Sequence, residues 1–244
     1  MTDAAQPGET PEVKQVMGIF AHPDDPEFFA GGTFARWASE GAHITFVLAT
    51  SGDKGSEELE MTHDRLIEIR EVEERNAAQA LGVPDVIFLR FRDGELTPSL
   101  ELRRALTRLI RMKRPDTVVT CDPTAFWYGT QYINHPDHRA IGEAALAAVF
   151  PAARDRLNFF ELERDEGLTP HKVKYLYLSA PQDPTTSVDI TDHIETKIAS
   201  LRHHISQIKD MEAMAENIRE RHIDPRSPQD APRLIEHFRV FTLS

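Results

Sequence analysis

The sequence predicts an α/β fold, a Rossmann-like three-layer arrangement with a mainly parallel sheet, in a single domain with a C-terminal helical extension. Three observations carry this. Short apolar, β-branched runs alternate with segments of helical period, the order expected of βαβ units. Two of these runs lead, one directly and one through a long loop, into clusters of His, Pro and Asp at strand carboxyl ends, where open α/β sheets bind ligands. The 244-residue chain is long enough for one large core and shows no repeat, low-complexity tract or clear linker.

The first run, residues 16–20, reads as a buried strand. It stops at Ala21-His22-Pro23-Asp24-Asp25-Pro26, where two prolines in quick succession end ladder pairing and stiffen a turn. Gly31-Gly32-Thr33 leads into a helix expected over 33–40 and closed by Gly41. The glycine pair permits close backbone approach to a ligand, but lacks the three-glycine fingerprint of a dinucleotide site. Residues 43–50 predict a second strand, and the glycine- and charge-rich 51–62 a loop over the same sheet edge. Leu66, Ile69, Val72, Ala77 and Ala80 recur at helical spacing through 64–81, with Gly82 as the stop. A third strand over 86–89 precedes Asp93-Gly94, Ser99 opens a helix ending before Pro115, and 117–121 is a fourth strand. A long loop then runs to Asn134, and Pro136 opens an Ala-rich helix to 150. Beyond it the sequence predicts a strand over 172–178, one long helix from 192 to about 220, and a short last helix after the proline-rich 224–232.

A formal charge of −12 argues against a nucleic-acid or anionic-membrane surface. The single cysteine, Cys121, excludes an internal disulfide and a Cys-rich zinc site, and reads as a core residue at a strand end. No apolar run approaches the ~18 residues of a membrane span. Residues 1–12 are polar and acidic, with no basic start and no apolar centre. They read as a disordered leader rather than a signal peptide, which leaves a domain over 13–244 and a cytoplasmic location as the default.

One imidazole and two adjacent carboxylates, His22, Asp24 and Asp25, form a ligand set able to hold a divalent metal with a base to spare. The second cluster is Asn134-His135-Pro136-Asp137-His138-Arg139. Asn134 or His135 caps the helix, and Pro136 suits its first turn. His135 and His138 are three apart, so one turn can bring both over one spot. Asp137 is placed to orient His135. A lone histidine is more often structural than a ligand, but two such clusters on one sheet edge point to a metal site. Two His and one carboxylate also define the non-haem Fe(II) oxygenase triad. The βαβ order and the extra carboxylate Asp24 favour hydrolysis over that chemistry. A small-molecule-binding module with structural histidines is the non-enzymatic alternative. In the long loop, Phe126-Trp127-Tyr128 reads either as a sugar-stacking platform or as a loop anchor.

Together, Ala21-His22-Pro23-Asp24-Asp25 with Gly31-Gly32-Thr33, and His135-Pro136-Asp137-His138, resemble the LmbE/PIG-L family of zinc-dependent N-deacetylases. The similarity extends to residues 50–55, Arg70 with Glu73, Leu81-Gly82-Val83, Asp93-Gly94 and His204-Ile205-Ser206-Gln207. The resemblance implies that His22, Asp25 and His138 ligate the metal and that Asp24 is the general base. It further implies that His135 is the acid or the group polarising the amide carbonyl, and that Arg70 and Asp93 hold a sugar. It also implies Zn²⁺ (with Fe²⁺ or Co²⁺ able to occupy the same ligands), a small-molecule amino-sugar substrate such as an N-acetylglucosaminide, and a trimeric or hexameric homo-oligomer. One departure is Pro26, standing where many members carry Glu, with Glu27 following.

Overall fold

The computed structural model describes residues 13–244, so the leader expected over 1–12 lies outside the described residues. Strand β1 (Gln15–Phe20) is flanked by β2 (His43–Thr50) and β4 (Thr117–Cys121), both parallel to it. Outside them lie β3 (Asp85–Phe91) and β7 (Tyr175–Ser179), also parallel. The far edge turns antiparallel: β9 (Ile235–Thr242) pairs with β7, and β8 (Thr186–Asp189) pairs with β9. The order β3-β2-β1-β4-β7-β9-β8 covers seven strands, five of them parallel. Every residue of β4 is buried, as expected of a strand covered on both faces. A two-stranded ribbon, β5 (Trp127–Tyr128) with β6 (Tyr132–Ile133), folds within the long loop after β4.

The helices are α1 (Asp25–Ser39), α2 (His63–Ala80), α3 (Leu100–Lys113), α4 (Pro136–Ala147), α5 (Phe160–Glu166), α6 (Ile194–Leu201) and α7 (Met211–His222). Thr62, Ser99 and Asp210 cap α2, α3 and α7 by accepting the N–H groups of Arg65, Leu102 and Ala213. Among the described residues, no helix is long and apolar enough to cross a membrane.

Several expectations are corrected. Helix α1 begins at Asp25 rather than Thr33, because Pro26 suits a first turn; the chain then kinks at Ala30 (φ −151°) and restarts. The glycine pair sits at this restart and is packed against side chains of the fold. A Cβ on Gly32 would lie 2.6 Å from Ile190 Cδ1, and one on Gly31 would lie 3.1 Å from Lys197 Cγ. The new helix N-terminus is capped by a carboxylate: Gly32 and Thr33 N–H donate to Glu236 Oε1 and Oε2 at 3.0 and 2.8 Å. Lys197 Nζ, itself fully buried, donates to the same carboxylate at 2.7 Å. Helix α4 gives way after Ala147 to a π-helical turn, Ala148–Ala153, and the break falls at Phe150, which is extended (φ −140°, ψ 123°) and ends the helix where expected. The long helix expected over 192–220 is broken into α6 and α7, since Ser206 turns its N–H and hydroxyl to Glu73 and Asp210 starts a new helix. The short last helix is instead β9, whose buried Glu236, paired with Lys197, disguises the strand's apolar pattern.

Candidate active site

The turn after β1 is closed by Asp25, whose Oδ2 accepts the N–H groups of Ala21 (3.1 Å) and His22 (2.9 Å). The same carboxylate faces two imidazoles, with Oδ1 3.1 Å from His138 Nε2 and Oδ2 3.4 Å from His22 Nδ1. Asp24 precedes it in a left-handed conformation (φ 90°), which costs a non-glycine residue roughly 1–2 kcal/mol, least for Asp and Asn. Both ends of Asp24 are held. Its N–H donates to Glu74 Oε2 (3.0 Å), and Arg70 Nη2 donates to its Oδ2 (3.2 Å) and to Pro23 O (2.7 Å). Arg70 Nη1 donates to Gly52 O. The buried guanidinium thus braces the turn and the β2 loop while also lining the cavity.

From the other side, α4 presents its histidines. His138 Nδ1 donates to Asn134 Oδ1 at 2.9 Å, which turns Nε2 towards Asp25. Asn134, whose amide also donates to Ala125 O, is a site residue absent from the sequence-based candidates, although its i,i+4 spacing from His138 is a signal that could have found it. His135 Nδ1 accepts the Asp137 N–H (3.2 Å), which leaves the ring proton on Nε2. Asp137 orients His135 through its backbone N–H and not, as its spacing suggests, through its carboxylate. Its carboxylate crosses to accept the N–H groups of Gly94 (2.7 Å) and Leu96 (3.2 Å), and lies 3.3 Å from His22 Nε2. Asp93 Oδ1 sits 3.2 Å from the same His22 nitrogen. The rings of His22 and His135 are 4.7 Å apart, and those of His22 and His138 5.3 Å.

Burial opposes ionisation of Asp25, yet His138 and His22 hold its carboxyl well below the usual range. Burial likewise opposes a charge on His22, but Asp25, Asp137 and Asp93 raise its pKa well above the ordinary value. Asp93 is also partly desolvated, but the hydrogen bond and charge of His22, with the Lys54 N–H and the Arg70 charge, together hold it at about 2. Asp24 goes the other way: burial raises its pKa despite the Arg70 charge, the direction a general base needs. Burial, then the neighbouring His22, lowers His135.

The donor chemistry fits a divalent cation. One nitrogen each of His22, His135 and His138 lies within 4.8 Å of the others, and His22, Asp93 and Asp137 form an overlapping group. The imidazoles of His22 and His138 are fixed by hydrogen bonds on their far sides, the usual arrangement around a metal. These groups open onto a cavity of about 930 Å³, with Asp24, Asp25, Asp93 and Arg70 on its wall. It is also lined by α7, where Met214, Asn217, Ile218 and Arg221 recur at helical spacing, and by the ribbon residues Tyr128 and Tyr132. Trp127 is 59 % exposed, whereas Phe126 lies under the Arg139 guanidinium at 4.4 Å. Cys121 is buried at the end of β4. Neither His203 nor His204 lines the cavity; His204 is enclosed beside Glu27.

Residues 17–149 match the family described as PIG-L, GlcNAc-PI de-N-acetylase. The chain is 34 % identical to a diacetylchitobiose deacetylase of Thermococcus kodakarensis, over 80 % of this chain and 71 % of that protein. It is 33 % identical to the 1D-myo-inositol 2-acetamido-2-deoxy-α-D-glucopyranoside deacetylase of Saccharomonospora viridis, over 79 % and 85 % of the two chains. The crystal structure of N,N'-diacetylchitobiose deacetylase from Pyrococcus horikoshii superposes with a TM-score of 0.82 at 32 % identity, covering 94 % of this chain and 84 % of that one. On the family match over residues 17–149 and the identity to these deacetylases, this chain belongs to the PIG-L family of de-N-acetylases.

Proposed function

We propose that this protein is a zinc-dependent hydrolase that removes an N-acetyl group from an amino-sugar conjugate such as an N-acetylglucosaminide. The observation that carries this reading is the convergence of His22, Asp25 and His138 beside a carboxylate, Asp24, that is held by Arg70 and opens onto the same cavity. His22, Asp25 and His138 would hold the metal. When bound, a zinc ion supplies Lewis acidity that polarises an amide carbonyl and makes water more acidic.

Asp24 takes a proton from the attacking water, and its raised pKa lets that proton be passed on. His135, with its proton on Nε2, donates to the carbonyl oxygen as negative charge gathers there. The proton held by Asp24 is then available to the departing amine, so water and amide yield acetate and free amine. Asp93 faces the cavity and can accept a hydrogen bond from a sugar hydroxyl. Arg70 keeps Asp24 oriented and reaches the cavity at the sugar side. Assembly into trimers or hexamers is part of the same family-based reading.

The test is amine release from a panel of N-acetylglucosaminides by protein stripped with chelator and then given back Zn²⁺, Fe²⁺ or Co²⁺. Release that stops on stripping and returns best with zinc is expected. Release that is indifferent to chelation contradicts the reading.

A further inference from the structure

Next to the turn that carries Asp24, but off the cavity, three ionisable side chains are completely enclosed: Glu27 of α1, Glu74 of α2 and His204 of the segment between α6 and α7. His204 Nε2 lies 3.3 Å from Glu27 Oε2 and 3.9 Å from Glu74 Oε2. The chemistry above uses none of them, and enclosing such groups away from water is costly unless something is gained. What the cluster touches is therefore informative. Glu74 Oε2 accepts the Asp24 N–H at 3.0 Å. Asp24 has a left-handed backbone, a conformation that persists in a non-glycine residue where the surroundings impose it. The segment bearing His204 is itself clamped: Ser206 N–H and Oγ donate to Glu73 at 2.8 and 2.6 Å, and Gln207 Nε2 donates to Gly55 O at 3.1 Å.

We propose that Glu74 is a positioning residue for Asp24, and that Glu27 and His204 hold Glu74 in place. The enclosed cluster fixes the backbone conformation that aims the Asp24 carboxylate at the reacting water. Glu27 and the His204-Ile205-Ser206-Gln207 motif thereby hold the base from behind rather than touching substrate. The proposal rests on Asp24 being the general base.

Two variants test it. Glu74→Gln keeps an oxygen that can accept the Asp24 N–H, whereas Glu74→Leu removes it. Glu74→Leu is expected to lower kcat by roughly 10–100-fold, with KM within about 3-fold and metal content unchanged, the effect of a misplaced catalytic group. Glu74→Gln should recover most of that loss. Exchange of the Asp24 amide proton, followed by NMR, should be slow in the wild type and at least about 10-fold faster in Glu74→Leu. Unchanged kcat in Glu74→Leu, equal losses in both variants, or an Asp24 amide exchanging freely in the wild type would overturn the proposal. A second metal equivalent in the wild type that is lost in Glu74→Leu would overturn it too, making the cluster a cation site. If no N-acetylglucosaminide is hydrolysed at all, the functional reading fails, and the amide exchange still decides whether Glu74 holds Asp24. It also decides the matter in the wild type alone should Glu74→Leu fail to fold.

Discussion

His135 and His138 share one helical turn, yet their hydrogen bonds set them apart. His138 is fixed through Nδ1 by Asn134 and turns Nε2 to Asp25, whereas His135 uses Nδ1 to accept a backbone N–H. His138→Ala is expected to lose metal affinity, with activity partly restored by excess Zn²⁺. His135→Ala should keep its metal and lose roughly 10²–10³-fold in rate, the usual worth of one oxyanion donor. Metal analysis beside kcat checks both, and equal metal loss in the two variants contradicts the division. The candidate donors themselves were legible in the sequence, because His-Pro-Asp clusters at strand ends are local patterns. Their supports were less so. Glu74 reaches Asp24, and Asp137 reaches His22, across about 50 to 115 residues of chain, pairings that only the folded sheet edge creates.

At the scale of elements, periodicity located β2 and β4 to the residue and α2 and α3 nearly so, since buried strands and amphipathic helices announce themselves locally. It failed where a polar residue is buried by a distant partner, as Glu236 is by Lys197 in β9, and where side chains of α2 pull a segment out of helix. The glycine pair illustrates the same limit. Read alone it suggests a ligand-facing backbone, but in the fold it lets α1 pack on Ile190 and receive the Glu236 cap. Gly32→Ala should therefore destabilise the protein by about 1–3 kcal/mol, the cost of overpacking a site whose nearest neighbours include the Ile190 Cβ. Urea unfolding checks this. Combining it with Ile190→Ala should cost less than the sum of the two single changes by at least about 1 kcal/mol. Strict additivity would show that the glycine is not there for Ile190.

For the whole molecule, the antiparallel edge and α7 complete both the sheet and the cavity, and one buried network joins them. Lys197 Nζ contacts Glu236, Phe28 O and His222 Nε2, while His222 Nδ1 donates to Ile218 O. Burial and then the Lys197 charge lower the His222 pKa to about 4. In the unfolded chain the imidazole returns to its ordinary value near 6.5. Below that pH the unfolded state binds the proton first, so this contribution to stability is whole above about 6.5 and is lost as pH falls towards 4. Up to about 3 kcal/mol is at stake, and thermal unfolding of the wild type should fall more steeply over that window than that of His222→Gln. Parallel curves would contradict it. The division of labour between the adjacent aspartates bears on activity itself, because in the proposed reaction Asp25 would hold the metal and Asp24 would move the proton. The most direct measurement is metal stoichiometry with kcat for Asp24→Asn and Asp25→Asn on an N-acetylglucosaminide. Asp24→Asn is expected to keep its metal and its KM while kcat falls by ~10²–10⁴-fold, and Asp25→Asn to lose metal and regain part of its activity with excess Zn²⁺. Metal lost from Asp24→Asn and kept by Asp25→Asn, or full activity in both, would contradict it.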